Sequence, residues 1–292
     1  MAEKKDHWSS EAYQHSASFV PKLATKILQW LDPRKDDVIL DIGCGGDISL
    51  DSYPYSNGVV NIQLQEILAQ GSGSIHGTDS SPAMIEAAKE AASKAGASKC
   101  TFEVVDALEL AQATHLQRAH FTKIFSNAAL HWILGTSRGD VARQVSVFRA
   151  ARDALAPGGI FAFEMGGLGN VAEIRAALLA AMARRIGLDK AIDQDPWFFP
   201  DEAWATDMLE NKVGGWKVER VEREYRPTQT VEGGVEGWVR LFGAQFFEAL
   251  SEEREREECI REVVDVLEFV CRNPSGGYHI GYVRLRVLAR KV

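Results

Sequence analysis

The 292-residue sequence has little of what membrane, secreted and metal-binding proteins need. No apolar run approaches the ~20 residues of a membrane-crossing helix, and residues 1–6 are largely charged, unlike a secretory signal. The four cysteines are scattered, with no Cys-x-x-Cys pair and no histidines beside them at zinc spacing. We therefore expect no membrane partner, no metal, reduced thiols and a cytoplasmic location.

An excess of positive charge is also missing. Lysine and arginine number 33 against 41 aspartates and glutamates, which gives a net charge of −8 and a pI near 5.5. Nucleic-acid surfaces are basic and laced with aromatic side chains, so we expect no nucleic-acid partner. The hydrophobic fraction of 46% and the charged fraction of 25% are ordinary for a globular protein with a full-sized core.

The stretch from Val38 to Gly45 combines an apolar run, an acidic residue and two glycines. The segment from Val38 to Ile42 is a short apolar run that is rich in β-branched residues, which predicts a buried strand. Asp41 lies at its carboxyl end, and Gly43 and Gly45 follow at alternate positions. Glycines there allow a sharp turn through positive φ and let the backbone approach a ligand closely. In open α/β sheets this crevice is where nucleotides bind.

Predicted strands and helices alternate along the first part of the chain, which is typical of βαβ units on a parallel sheet. We expect an α/β fold with a Rossmann-like, mostly parallel sheet, helices on both faces and a helical cap over the carboxyl edge. Residues 1–35 would form an N-terminal helical lid, 36–165 the ligand-binding core, and 166–292 the cap elements and the closing strands. The predicted strands are 38–42, 74–79, 100–105, 123–127, 160–164, 216–225 and 282–288.

Three acidic residues lie at the ends of three successive predicted strands: Asp41, Asp79 and Asp106. A carboxylate after the second strand can accept both hydroxyls of a ribose, and one after the third can accept from an exocyclic amine. Each could instead cap a helix or occupy a surface turn. A dehydrogenase fits less well, because Ile48 occupies the third glycine position of its fingerprint, and Asp79 follows Asp41 by 38 positions rather than ~20.

Together these motifs resemble the class I S-adenosylmethionine-dependent methyltransferases, and most nearly the trans-aconitate methyltransferase-like group. The similarity covers roughly residues 16–165, and the cap is similar only in outline. The motifs that carry it are 38–45, 77–85, 106–107, 126–132 and 157–159.

The resemblance implies S-adenosylmethionine as the cofactor and nine residues that contact it. They are Asp41, Gly43 and Gly45 at the amino-acid end, Asp79 at the ribose, Ser80 and Met84 beside the adenosine, Asp106 and Ala107 at the adenine, and Asn127 near the sulfonium.

The glycine loop departs from the family pattern. Asp47 occupies the position of the family's third glycine, and residues 48–57 read as an insertion before the next helix. A loop of this size costs little entropy, so it could bulge outward without effect. It could also crowd the cofactor, which would leave a methyltransferase-like binding or heterodimer subunit with weak or lost cofactor binding.

The expected function is methyl transfer to a small-molecule acceptor, at a carboxylate or hydroxyl oxygen. A carboxylate needs no base because it is ionised at neutral pH, whereas a hydroxyl would need one, and His131 is the best-placed candidate. Trp132 either packs under the cap or lines the acceptor site, and Tyr13 would reach over the ligand from the lid. Arg240 could clamp an acid or could be an ordinary surface arginine. The oligomeric state stays open.

Overall fold

A computed structural model describes residues 25–46, 60–230 and 233–292 of the chain. Most of the expected lid, including Tyr13, lies outside the described residues, as does the expected insertion at 48–57. None of the described helices combines the length and the apolar character that crossing a membrane requires.

The centre of the fold is a seven-stranded sheet in the order β3-β2-β1-β4-β5-β7-β6. Strands β1 to β5 pair in parallel, and β7 enters antiparallel between β5 and the edge strand β6. The expectation of a mostly parallel, Rossmann-like sheet is therefore confirmed. The strands are β1 (Val38–Ile42), β2 (Ser74–Asp79), β3 (Cys100–Val104), β4 (Phe121–Asn127), β5 (Leu155–Gly166), β6 (Trp216–Gln229) and β7 (His279–Lys291).

Helices cover both faces of this sheet, and several begin at the capping residues that the sequence indicates. Ser81 caps one helix by accepting a hydrogen bond from the backbone N–H of Met84, and Asp140 caps another through the N–H of Arg143. The helices are α1 (Thr25–Leu31), α2 (Val60–Leu68), α3 (Pro82–Lys94), α4 (Leu130–Ile133), α5 (Val141–Ala154), α6 (Ala172–Ile186), α7 (Leu188–Asp193), α8 (Glu202–Thr206), α9 (Gly234–Phe242) and α10 (Glu253–Val270).

Shorter helical turns join these elements. They are the 3₁₀ turns Ala107–Gln112, Gly135–Ser137 and Ala244–Ala249, and the π-helical turn Asp207–Val213.

The apolar core has three parts. One face of the sheet packs against α5 around Phe148, and the other packs against α1 and α2 around Leu64. A third cluster joins α6, α9 and α10 around Trp238, with the half-buried Trp132 packed against it. This cluster forms the expected helical cap, and because Trp132 follows the carboxyl end of β4, the cap lies at the edge of the sheet where ligands bind.

Candidate active site

The strand order places a topological switch point between β1 and β4. From β1 the chain runs outward to β2 and β3, and it then returns to β4 on the other side of β1. The carboxyl ends of β1 and β4 are joined directly, because the Ser126 hydroxyl donates to the carbonyl of Ile42 at 2.7 Å. Ligands of open α/β sheets bind in the crevice above such a point, so the glycine loop after β1 and the turn after β4 border one site.

The glycine loop requires glycine at Gly43. Its φ is +71°, its N–H donates to the carbonyl of Thr78 at 2.8 Å, and a Cβ added to it would lie 2.3 Å from the Cβ of Ala129. Gly45 also has a positive φ of +66°, but no atom of the described residues lies within 4 Å of a Cβ built there. Gly43 therefore allows β1 to approach the turn after β4, and a side chain at Gly45 would meet none of the described residues.

The end of β2 is tied to this loop through Asp79. One carboxylate oxygen of Asp79 accepts from the N–H of Gly45 at 3.0 Å, and the other accepts from the N–H of Ser81 at 2.9 Å. The sulfur of the buried Met84 accepts from the N–H of Gly46 at 3.1 Å, while Ser80 is exposed. The structure thus places Asp79, expected at the ribose, and Met84, expected beside the adenosine, against the glycine loop.

Asp106 lies on the same edge as Asp79. The N–H of Val105 donates to the carbonyl of Asp79 at 2.9 Å, which holds the ends of β2 and β3 together. The Asp106 side chain caps the following 3₁₀ turn by accepting from the N–H of Leu108 at 3.1 Å, and Ala107 is buried beneath it. The helix-cap role and the expected adenine contact are compatible, because a carboxylate can accept several hydrogen bonds.

Asp41 is the buried charge of the site, with only 3% of its surface exposed. Burial raises the pKa of this carboxyl from 3.8 to about 7, the nearby Asp79 raises it further by a smaller amount, and the Asn61 side chain opposes the shift. On the facing strand, the buried Oδ1 of Asn127 accepts no hydrogen bond from the described residues. Two acceptors beside a glycine cradle fit the ammonium group at the amino-acid end of S-adenosylmethionine.

Beyond the turn after β4 lies a cavity with mostly aromatic walls. Two non-glycine residues with positive φ line it, Ala128 (φ 57°) and Val171 (φ 44°), and backbone strain of this kind persists mainly at functional sites. Trp132 and Trp197 meet edge to face there, with 5.6 Å between ring centroids. The lining residues are Ala128, His131, Trp132, Asn170, Val171, Trp197, Phe199, Trp238, Phe242, Tyr282 and Arg284.

His131 is buried in the wall of this cavity, with 7% of its surface exposed. Its Nδ1 accepts a hydrogen bond from the N–H of Gly166 at 3.3 Å, so Nε2 carries the proton of the neutral ring. Burial, and to a smaller extent the positive charge of Arg284, hold the pKa of His131 well below its usual range. This arrangement favours a neutral hydrogen-bond donor at His131 over the expected general base.

A buried carboxylate that the sequence did not single out holds the segment at 196–200 over the cavity. Asp195 is 5% exposed and pairs with Arg138 and Arg175. The N–H of Phe198 donates to the carbonyl of His131 at 3.0 Å, which ties the segment to α4. Gly135 passes so close that an added Cβ would lie 1.9 Å from the carbonyl oxygen of Pro196.

Arg240 does not clamp a ligand at this site. It pairs with Glu236 of its own helix and with Glu257 of α10, and it is absent from the cavity wall. Its neighbours Trp238 and Phe242 do line the cavity. The surface alternative for Arg240 is therefore the one observed, because the helix turns its apolar side inward and the arginine outward.

Comparison with known proteins agrees with this geometry. Residues 33–182 match a family model described as a methyltransferase domain. The uncharacterized methyltransferase C70.08c of Schizosaccharomyces pombe is 33% identical over 290 residues, which cover 98% of this chain and 99% of that protein.

Solved structures share the fold at low sequence identity. The YcgJ protein of Bacillus subtilis has a TM-score of 0.53 at 14% identity, covering 92% of this chain and 97% of that chain. A phosphoethanolamine N-methyltransferase 2 of Haemonchus contortus, in complex with phosphomonomethylethanolamine and S-adenosylhomocysteine, has a TM-score of 0.52 at 16% identity. That match covers 96% of this chain and 56% of the other. The chain belongs to the methyltransferase-domain family and is an S-adenosylmethionine-dependent methyltransferase.

Proposed function

We propose that this enzyme methylates an oxygen atom of a small-molecule acceptor that enters the aromatic cavity. The observation that carries the proposal is the position of the cavity. Ala128, His131 and Trp132 line it, and they follow Asn127 at the switch point where the cofactor cradle lies. The space open to the centre of a water molecule is about 40 Å³, which suits a small group.

When bound, S-adenosylmethionine supplies an activated methyl group on a positively charged sulfur. The protein's own part is to bind and orient the two reactants, since alignment lowers the barrier of a bimolecular step. Asp41 and the Oδ1 of Asn127 would hold the ammonium group of the amino-acid end, and Gly43 and Gly45 would give that end room. The roles expected for Asp79, Ser80, Met84, Asp106 and Ala107 around the adenosine stay predictions.

Between the two oxygen acceptors, the surroundings of His131 favour a carboxylate. A hydroxyl has to lose its proton to a base during the reaction, whereas a carboxylate is already ionised. Nδ1 of His131 accepts from Gly166, and Nε2 carries the ring proton, so the ring is arranged to donate a hydrogen bond to the acceptor. The narrower resemblance to the trans-aconitate methyltransferase-like group, and the lid role of residues 1–35 with Tyr13, stay predictions.

Truncating the cavity wall tests the proposal. After a panel of small acids and alcohols has been screened for release of S-adenosylhomocysteine, Trp132→Ala should raise the KM of the active acceptor. The expected increase is about 10- to 100-fold, because a buried aromatic wall is lost. The affinity for S-adenosylhomocysteine, measured by calorimetry, should stay within about twofold of the unmodified enzyme, because Trp132 lies on the acceptor side of the site.

Phe269→Ala provides the matched control, because Phe269 is 85% exposed and lies on α10, outside the cavity wall. It should leave the acceptor KM unchanged. Trp132→Phe retains an aromatic ring, and it therefore distinguishes loss of the cavity wall from a general folding defect. The proposal is refuted if the enzyme methylates only protein or nucleic acid, or if Trp132→Ala leaves the acceptor KM unchanged in a folded protein.

A further inference from the structure

One charged side chain breaks the apolar character of the acceptor cavity. Arg284 lies on β7, is 4% exposed, and lines the cavity wall. Its Nε donates to one carboxylate oxygen of Glu164 at 2.8 Å. Its terminal nitrogens Nη1 and Nη2 make no hydrogen bond to any other residue that the structure describes. A guanidinium uses these two nitrogens for bidentate binding of an anion.

Glu164 orients Arg284 by binding its Nε, but it does not occupy the terminal nitrogens of the guanidinium. This glutamate is fully buried on β5, and its second carboxylate oxygen is held by Arg286. Arg286 in turn pairs with Glu222 and Glu224 on β6, and thus has carboxylate partners of its own. Among the described residues, Arg284 has only its share of Glu164, so a partial positive charge faces the cavity from a fixed direction.

The other polar side chains that could meet an acceptor are also donors. The Oδ1 of Asn170 accepts from the N–H of Val283 at 2.8 Å, which leaves its amide nitrogen as the group for a ligand. His131 accepts at Nδ1 from Gly166 and therefore donates from Nε2. The indole N–H of Trp238 is already bonded to the hydroxyl of Tyr282.

A cavity wall that presents several hydrogen-bond donors favours a negatively charged ligand. A carboxylate can accept from all three donor groups, whereas a cationic amine would be repelled by Arg284, and a neutral amide would place its own N–H groups against donors. The aromatic rings around these donors match a flat apolar body. Resting on the proposed function of small-molecule methylation, we infer that the acceptor is an organic acid with a planar apolar body, and that Arg284 is the residue that determines this specificity.

Pairs of probes that differ only in charge test this inference by binding alone. Calorimetric titrations use the full chain saturated with S-adenosylhomocysteine, with cinnamate against cinnamamide and benzoate against benzamide. The acids should bind about 10- to 100-fold more tightly than the amides, because only a charged oxygen pair uses the guanidinium fully. Arg284→Gln should bring this ratio close to one, and Arg284→Lys should retain part of it.

Arg290→Gln is the matched control, because Arg290 lies on the same strand but pairs at the surface with Glu219. It should keep the full preference for acids. The inference is overturned if the amides bind as tightly as the acids, if no acid in either pair binds, or if Arg284→Gln retains the preference. Methyl transfer to small neutral alcohols would overturn the inference alone, whereas methyl transfer only to macromolecules would also refute the proposed function.

Discussion

Replacing Asp41 with asparagine should stabilise the unliganded chain in mildly alkaline buffer and, at the same time, weaken its binding of S-adenosylmethionine. Asp41 is 3% exposed, and burial raises the pKa of its carboxyl from 3.8 to about 7. Above that pH the fold contains a buried negative charge, and the charge of Asp79 repels it. Asparagine has nearly the same shape and never carries this charge.

The sign of the stability effect follows from the direction of the pKa shift. Because the pKa of Asp41 is higher in the folded chain than in the unfolded chain, the folded state binds more protons between the two values. The contribution of Asp41 to stability is complete below pH 3.8 and is lost as the pH rises through about 7. The full loss is on the order of 4 kcal/mol, so Asp41→Asn should raise Tm at about pH 8.5 by roughly 5–10 °C.

The same shift predicts how cofactor binding depends on pH. The ionised form of Asp41 is the one that attracts the ammonium group of the cofactor's amino-acid end, so affinity should rise as the pH increases through about 7. Asp41→Asn should lower the affinity by about 10- to 100-fold, and it should remove this pH dependence. Calorimetry at several pH values gives both quantities, and thermal unfolding of the unliganded proteins gives the stability.

Asp37→Asn should behave in the opposite way. Asp37 is also buried and stands just before β1, but its carboxylate accepts from the Thr122 hydroxyl at 2.7 Å and pairs with Lys123 at 2.9 Å. Breaking such a pair destabilises a protein, here by about 3 kcal/mol, at neutral pH. An Asp41→Asn variant less stable than the unmodified chain at alkaline pH, or an affinity for the cofactor that falls as pH rises, would contradict the account of Asp41.

Local signals allowed much of the core to be predicted from the sequence. The second strand was expected at 74–79 and is observed at Ser74–Asp79, where the segment ends in an acid. Ser81 and Pro82, a capping serine and a proline suited to the first turn of a helix, stand at the observed start of α3. The fifth strand was expected to begin at Ile160, after 157–159, but β5 begins at Leu155. The register of β4 against β5 shifts there, and this irregularity lets the strand include the glycine turn.

The acceptor side depended on long-range pairing that no local pattern contains. Glu164 was expected only as the end of a strand. Glu164 forms its buried ion pairs because β7 lies between β5 and β6 and places Arg284 and Arg286 beside it. Asp195 likewise acquires its role from Arg138 and Arg175 on separate elements. Buried ion pairs of this kind join residues far apart in sequence, so for Glu164 the available local signal was a charged residue inside an apolar strand.

The common edge of Asp41, Asp79 and Asp106 could be predicted because parallel strands share the direction of their carboxyl ends. The state of these groups could not. Whether a carboxyl is ionised depends on its burial and its neighbours, which is why the raised pKa of Asp41 has no signature in the sequence. The same holds for His131, whose protonated nitrogen is set by a hydrogen bond from Gly166, a residue of β5.

Gly43→Ala should disable both halves of the site at once. The φ of +71° is unfavourable for alanine, and the new methyl group would lie 2.3 Å from the Cβ of Ala129. Strain and overlap together should cost about 2–6 kcal/mol, part of which the chain can relieve by moving Ala129 away from β1. Because Ala129 begins the turn into α4, that movement also displaces His131 and Trp132 from the cavity wall.

Two measurements separate this effect from a simple loss of stability. Gly43→Ala should weaken binding of S-adenosylhomocysteine by on the order of 100-fold, and in near-ultraviolet circular dichroism it should change the aromatic signal of the cavity tryptophans. Gly158→Ala is the matched control, because its φ is +74° but no atom lies within 4 Å of its added Cβ. Gly158→Ala should lower the free energy of unfolding by only about 1 kcal/mol, the cost of a positive φ for alanine. Its affinity for the cofactor should be unchanged. If both variants weakened cofactor binding equally, the close approach of β1 to Ala129 would not be what determines the geometry of the site.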